Sequence, residues 1–141
     1  MKVFLDTNVL VSAMATRGLC ADVLRETLAS HQLIVSAPLF NELSRVLRQK
    51  LQIPGELIDD AIEMLQQDAH FASPSTLSDV KIRDKDDFAI LSSALNGNAD
   101  LLVTGDKELL KLGKIEGMEI VSPRGFWKKM RTRPSHLPDN G

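Results

Sequence analysis

The sequence predicts an α/β fold, in which helices cover a central and mainly parallel sheet. Three short apolar runs carry this prediction, because residues 2–5, 33–35 and 101–103 have the length and composition of buried strands. Segments with the apolar spacing of amphipathic helices separate these runs. Strands that alternate with helices form βαβ units, and such units build a parallel sheet.

Helix caps and helix breaks place the elements along the chain. Ser36 and Pro38 are typical of an N-cap and a first helical turn, and Gly97 and Gly113 are typical of helix ends. The predicted order is strand 1 (2–5), helices from about residue 9 and over about 21–30, strand 2 (33–35), helices after Pro38 and Pro54, a short strand near Val80, a helix over about 85–96, strand 4 (101–103), a short helix over about 107–111, a last strand (118–121) and one or two helical turns within 123–130. We expect one domain over residues 1–130 and a disordered tail over 131–141.

Composition limits the classes of function. A hydrophobic fraction of 43% and a charged fraction of 26% over 141 residues are typical of one soluble globular domain. The net charge of −2 gives no bulk attraction to nucleic acid, although a local basic patch stays possible. A single cysteine, Cys20, excludes an intrachain disulfide and a cysteine zinc cluster. Since no apolar run reaches the ~20 residues of a membrane span and strand 1 leaves no room for a signal peptide, we expect a cytoplasmic protein without a membrane partner.

Four acidic residues lie at the ends or starts of predicted elements. Asp6 follows strand 1 directly, and Asp106 follows strand 4 by three residues. Glu42 lies early in the third helix, and Asp87 lies in the first turn of another. The carboxyl ends of parallel strands share one edge of the sheet, where open α/β folds bind their ligands. Carboxylates that converge without matching cations indicate a hard cation, namely Mg²⁺ or Mn²⁺.

Most of these acids also have a purely structural interpretation. Asp6 and Asp106 could each cap the helix that follows. Glu42 could interact with the dipole of its helix and pair with Arg45 at i+3. Its position at the edge of the apolar stripe, one turn after Leu39, also lets it lean over the sheet. From the residues alone, the two interpretations of Glu42 are equally good.

Helix geometry separates the members of the acidic run at residues 84–87. Asp87 shares a helix face with Leu91, whereas Asp86 points about 100° away, toward solvent. Asp84 precedes Asp87 by three residues, which is the distance of an N-cap. We therefore assign Asp87 to the metal and Asp84 mainly to capping.

Taken together, the motifs resemble those of PIN domains, a family of metal-dependent ribonucleases with a three-layer α/β/α fold. The matching motifs are Asp6-Thr7-Asn8, Glu42-Leu43, the run from Asp84 to Asp87, and Thr104-Gly105-Asp106. The resemblance extends from residue 1 to about residue 125, and it is closest to the toxin halves of bacterial and archaeal toxin–antitoxin pairs. It implies five strands in the order 3-2-1-4-5, in which the order reverses between strands 1 and 4.

The resemblance also implies an activity and roles for individual residues. The expected activity is hydrolysis of RNA phosphodiester bonds by water, with Mg²⁺ or Mn²⁺ as cofactor and a small antitoxin as partner. Homodimers are common in the family. The implied catalytic and metal-binding residues are Asp6, Glu42, Asp87 and Asp106. The candidate supporting residues are Asn8, Thr104, Asp84 and Lys85. Asn8 could hold a metal-bound water or a phosphate oxygen, or be a plain turn residue, and Thr104 could instead merely fill the end of its strand. Many relatives have proline where this chain has Lys85, and the lysine could reach a phosphate.

Two further features have competing interpretations. Residues 124–133 carry five basic side chains together with Phe126 and Trp127, which is typical either of an RNA-binding arm or of a helix docked by its aromatic residues. We favour the docked helix, and expect Arg17, Lys85 or Lys107 to lie closer to the substrate. The histidines lack the spacing of metal ligands and are predicted at the surface; they are His31, His70 and His136.

Two alternatives to the nuclease belong to other functional classes. A phosphatase of the haloacid dehalogenase type also has an aspartate after strand 1, but it needs a second aspartate two residues later, where this chain has Asn8. A non-catalytic PIN-like module that binds RNA or protein would usually lack one or more of the four acids, and all four are present. An RNA-processing nuclease outside any toxin–antitoxin pair stays open.

Overall fold

A computed structural model describes residues 1–74 and 85–132 of the chain. The strand predicted near Val80, the cap predicted at Asp84 and residues 133–141 of the predicted tail lie outside these ranges. The elements are β1 (Lys2–Leu5), α1 (Thr7–Ala15), α2 (Leu19–Ser30), β2 (Gln32–Ser36), α3 (Ala37–Gln49), α4 (Gly55–Gln66), β3 (His70–Ala72), α5 (Lys85–Asn96), β4 (Leu101–Val103), α6 (Lys107–Leu110), β5 (Lys114–Ile115), β6 (Met118–Val121) and α7 (Pro123–Thr132).

The described strands form one sheet in the order β3-β2-β1-β4-β6-β5. All neighbours are parallel except β5 and β6, which are antiparallel. At the centre, Phe4 of β1 pairs with Ile34 of β2 on one side and Leu102 of β4 on the other. The last strand predicted corresponds to β6, so the order of the parallel strands is compatible with the predicted 3-2-1-4-5, although the third strand is His70–Ala72 and not the segment near Val80. The switch point between β1 and β4 lies where it was expected.

The sheet differs from the prediction at both of its edges. The third strand is His70–Ala72, a three-residue edge strand without an apolar run, which explains why the sequence did not reveal it. At the other edge, β5 and β6 form a hairpin that was not predicted. Its two turn residues, Glu116 and Gly117, have φ values of 49° and 88°, as a type I′ turn requires.

Helices cover both faces of the central strands. Val3, Phe4 and Leu5 alternate between the faces of β1, yet each has 0% exposure. Leu43 of α3 and Phe126 of α7 are equally buried. This is the helix–sheet–helix layering that the resemblance implied. Within the described ranges, no helix is both long enough and apolar enough to cross a bilayer.

Gly97 ends α5 for a different reason from the one predicted. The left-handed residue at this helix end is Asn98, with φ of 58°. A Cβ on Gly97 would lie 2.7 Å from Ile34 Cγ2 and 2.9 Å from Ala72 Cβ. Gly97 therefore lets the end of α5 lie directly against β2 and β3. Gly113, which follows α6, does adopt positive φ, at 69°.

Candidate functional site

The four predicted acids line a single cavity of about 410 Å³ at the carboxyl ends of β1 and β4. Asp6 comes from the end of β1, Glu42 from α3, Asp87 from α5 and Asp106 from the loop after β4. The remaining lining residues are Thr7, Asn8, Val11, Ser12, Val46 and Lys50. The fold thus brings together acids that are up to 100 positions apart in the sequence, since 106 − 6 = 100.

Asp6 is held rigidly at the floor of this cavity. Its backbone N–H donates to the Val103 carbonyl at 2.9 Å, which continues the pairing of β1 with β4. Its Oδ1 accepts from the Thr7 backbone N–H at 2.7 Å, and its Oδ2 accepts from the Thr104 hydroxyl at 2.6 Å. With 4% exposure, Asp6 is a buried carboxylate at a fixed place. It caps α1 and lines the cavity, so its two interpretations coexist.

The electrostatic environment raises the pKa of Asp6 above its ordinary value of 3.8. Burial is the main cause, because it disfavours the charged form. The hydrogen bonds from Thr104 and Thr7 act against it, and the charges of Glu42 and Asp106 add to it. A proton or a cation would therefore relieve an unfavourable negative charge at this point.

Glu42 is held by one short hydrogen bond and has a looser contact on its other side. The Thr7 hydroxyl donates to Glu42 Oε1 at 2.5 Å, and Arg45 Nη2 lies 3.8 Å from Glu42 Oε2. The predicted pairing with Arg45 is thus present alongside the position in the cavity. Thr7 was quoted in the sequence motif without a role. Here it links the first turn of α1 to α3.

The loops after β1 and β4 are joined by short polar contacts. Asn8 Oδ1 accepts from the Gly105 backbone N–H at 3.2 Å. The Thr104 hydroxyl accepts from the Asp106 N–H at 3.0 Å while it donates to Asp6. Asp106 Oδ1 in turn accepts from the Glu108 N–H at 2.8 Å and caps α6. Asn8 and Thr104 therefore help to hold the two loops, and with them Asp6 and Asp106, in position.

Comparison with known proteins agrees with this architecture. A family model described as PIN domain matches residues 2–108. The chain belongs to the PIN domain family. The fold is similar to VapBC2 from Rickettsia felis, bound to a DNA fragment from their promoter, with 17% identity, a TM-score of 0.62, and coverage of 86% of this chain and 98% of that one. It is also similar to VapBC-1 from nontypeable Haemophilus influenzae, with 19% identity, a TM-score of 0.60, and coverage of 88% and 99%. No curated protein matches the chain.

The cavity of this PIN domain suits a hard divalent cation by the chemistry of its donors. Four carboxylates line it, and Mg²⁺ and Mn²⁺ prefer oxygen ligands. The buried Asp6, with its raised pKa, would gain most from a cation. Within residues 1–74 and 85–132, however, no three acidic, histidine or cysteine side chains are close enough to form a ready-made metal site. The carboxylates share the cavity without forming a closed set of ligands.

Asp87 and its neighbours are described only in part. The Asp87 side chain is half-buried and lines the cavity, as its helix phase predicted. Asp84 lies outside the described residues, as does the Lys85 side chain. The capping role of Asp84 and the phosphate-binding role of Lys85 therefore stay predictions.

The basic side chain in the wall of the PIN-domain cavity was not predicted. Among the described residues, Lys50 at the end of α3 is the basic residue that lines it. Arg17 and Lys107, which were expected near the substrate, are exposed and do not line it. The sequence offered a weak signal, since Lys50 follows Val46 by one helical turn on the side that also carries Glu42.

Helix α7 packs against the body of the protein and contacts His31. Phe126 and Met130 are buried, as the docked-helix interpretation of residues 124–133 expects. The surface prediction is wrong for His31, because its side chain is only 5% exposed and its ring packs edge-on against Phe126 at 6.0 Å. His70 is exposed, and His136 lies outside the described residues.

Proposed function

We propose that this PIN domain is a divalent-metal-dependent ribonuclease that hydrolyses RNA phosphodiester bonds with water. The observation that carries the proposal is the cavity at the switch point of the sheet, which is lined by four carboxylates from four separate parts of the fold. Membership of the PIN domain family supports it. The raised pKa of the buried Asp6 also supports it, because perturbed carboxylates are common at functional sites.

The residues of the cavity have distinct roles in this proposal. Asp6, Glu42, Asp87 and Asp106 would hold Mg²⁺ or Mn²⁺. When bound, such an ion supplies activation of the attacking water and stabilisation of charge on the phosphoryl oxygens. The Thr104 hydroxyl keeps Asp6 oriented, and the Thr7 hydroxyl does the same for Glu42. Lys50 offers an ammonium group to the phosphate backbone.

We further propose that the protein is the toxin of a toxin–antitoxin pair, held in check by a small antitoxin. The support is the sequence resemblance to such toxins, together with a fold similar to two VapBC structures. An RNA-processing nuclease without an antitoxin is the second candidate. Co-expression from a single operon with a small neighbouring protein, and rescue of growth by that protein, distinguish the two.

Cleavage of a mixed single-stranded RNA pool tests the activity. Wild type, Asp6→Asn and Asp59→Asn are compared with Mg²⁺, with Mn²⁺ and with chelator. Asp59 is the matched control, because it is an exposed aspartate of α4 that does not line the cavity. We expect metal-dependent cutting by wild type and Asp59→Asn, and a loss of at least about 100-fold in Asp6→Asn. Equal cutting by Asp6→Asn would show that the acidic cavity is not the catalytic centre.

A further inference from the structure

A second cavity, of about 340 Å³, adjoins the acidic one. It is lined by Pro38, Asn41, Glu42, Arg45 and Ala89. Glu42 lines both cavities, so its side chain forms the boundary between them. Helices α3 and α5 contribute to the walls of each cavity. The two cavities therefore share a wall, and a chain molecule that passed over Glu42 would contact both.

The second cavity differs chemically from the first. Its polar groups include the Arg45 guanidinium and the Asn41 amide, and Glu42 is the one acid among the described residues that line it. Arg45 and Asn41 are both exposed and thus accessible to a ligand. Pro38 and Ala89 add small apolar surfaces. A planar cation beside an amide and apolar surface suits a nucleotide better than a metal ion.

Arg45 is only weakly engaged in its present contact. Its nearest nitrogen lies 3.8 Å from Glu42 Oε2, and the two side chains are 48% and 26% exposed. Exposed pairs of this kind contribute little. A bidentate contact between a guanidinium and a phosphate is much stronger. Glu42 would also stay in place if Arg45 moved, because the Thr7 hydroxyl holds its other oxygen.

We infer that Arg45 and Asn41 form a nucleotide subsite for single-stranded RNA, next to the bond that is cut. The Arg45 guanidinium binds a phosphate that flanks the scissile one. The Asn41 amide hydrogen-bonds to the attached sugar or base. This inference rests on the proposed ribonuclease function and adds the direction in which the strand leaves the acidic cavity.

Binding of a fluorescently labelled single-stranded RNA of mixed sequence tests the subsite. All variants carry Asp6→Asn, which suppresses cleavage and, by the metal assignment, most Mg²⁺ binding, so the assay reports on the protein's own contacts with RNA. The variants to compare are Arg45→Gln, Arg45→Lys, Asn41→Ala and Arg48→Gln. Arg48 is the matched control, because it is an exposed arginine one turn along α3 that lines neither cavity. Fluorescence anisotropy at several salt concentrations gives the Kd and its salt dependence.

The salt dependence separates a phosphate contact from a general effect of charge. Arg45→Gln is expected to weaken binding about tenfold and to lower the slope of log K against log salt by about 0.7, the value for one phosphate contact in a single strand. Arg45→Lys should restore the slope but only part of the affinity, because lysine lacks the planar fork. Asn41→Ala should weaken binding with no change in slope. Arg48→Gln should change neither quantity appreciably.

Failure of the subsite and failure of the ribonuclease proposal give different results. Equal Kd values and slopes for Arg45→Gln and Arg48→Gln would overturn the subsite, even if wild type cuts RNA. RNA binding that depends on Arg45, together with no cutting by the wild type in the cleavage assay, would support the subsite and count against the nuclease. Absence of RNA binding by every variant at low salt would overturn the subsite, while the cleavage assay would still decide the activity separately.

Discussion

The hydroxyl of Thr7 donates a 2.5 Å hydrogen bond to Oε1 of Glu42, across 35 positions of the sequence. Thr7 is the first residue of α1, and its backbone N–H is at the same time bound to Asp6 Oδ1. One buried residue therefore orients two of the four acids, one through its backbone and one through its side chain. Removing the hydroxyl alone should disturb Glu42 and leave Asp6 in place.

Replacement of Thr7 by valine should reduce catalysis more than stability. The near-isosteric Thr7→Val removes the donor to Glu42 and is expected to lower kcat about tenfold or more, because the carboxylate loses its fixed orientation. The lost hydrogen bond should reduce the free energy of unfolding by about 1 kcal/mol. Thr7→Ser, which keeps the hydroxyl, is the control. Steady-state kinetics on a cleaved RNA measure the effect. A kcat of Thr7→Val equal to that of the wild type would refute the positioning role of Thr7.

Asp6→Asn is expected to stabilise the metal-free protein at neutral pH. Burial raises the pKa of Asp6 in the folded state above the value of 3.8. The folded state thus binds this proton more tightly than the unfolded state does. The resulting stabilisation is complete below pH 3.8 and is lost as the pH rises through the folded pKa.

Thermal melts in chelator between pH 3 and pH 8 measure this effect. Above the folded pKa, Asp6→Asn should melt about 2–5 °C higher than wild type, and the difference should shrink toward acidic pH. Asp59→Asn, which changes an exposed aspartate, should follow wild type throughout. A lower melting temperature for Asp6→Asn at neutral pH would contradict the assignment of an unfavourable buried charge.

Divalent metal should stabilise wild type through the same carboxylates. At a Mg²⁺ concentration of 100 times its Kd, mass action adds about 2.7 kcal/mol to the free energy of unfolding. Asp6→Asn should lose most of the corresponding rise in Tm, whereas Asp59→Asn should keep it. Melts over a series of Mg²⁺ and Mn²⁺ concentrations provide the measurement. An equal shift in all three proteins would indicate that the metal binds elsewhere.

Gly97→Ala should destabilise the fold without touching the acidic cavity. The added methyl group would lie within 3.0 Å of both Ile34 Cγ2 and Ala72 Cβ, so strand or helix must shift. Overpacking of this kind typically costs about 1–3 kcal/mol. Gly55→Ala is the control, because a Cβ there meets nothing within 4 Å. Denaturant unfolding compares the two, and equal stabilities would show that β2 and β3 adjust freely.

The sequence revealed those parts of the site that local pattern determines. Asp6 and Asp106 follow buried strands, and the phase of α5 selects Asp87 over Asp86. The role of Thr7 was not predicted, because its partner Glu42 is distant in sequence and only the packing of α1 against α3 brings the two together. Lys50 and Arg45 look like ordinary surface residues of a helix. Their relation to a cavity depends on how α3 lies against its neighbours.

The strands, too, were predictable where local pattern determines them and not where distant contacts do. Strands of three or four apolar residues at the centre of the sheet were predictable, because burial on both faces selects their composition. The edge strand His70–Ala72 was not, since two of its three residues are exposed and its pairing depends on β2. His31 was misplaced for a similar reason. Its burial comes from α7, nearly 100 positions later, whose Phe126 packs against its ring.

The small hairpin at the far edge of the sheet changes what that edge offers to a neighbouring molecule. A parallel sheet that ended at β6 would present a row of free backbone groups, on which a neighbouring molecule could build another strand. The two residues of β5 pair with β6 and cover part of that row. One of them is Lys114, whose charge disfavours the addition of a further strand. The tight turn at Glu116 and Gly117 thus makes the edge of the sheet a two-residue strand, and very short, charged edge strands are one of the ways in which proteins limit edge-to-edge pairing.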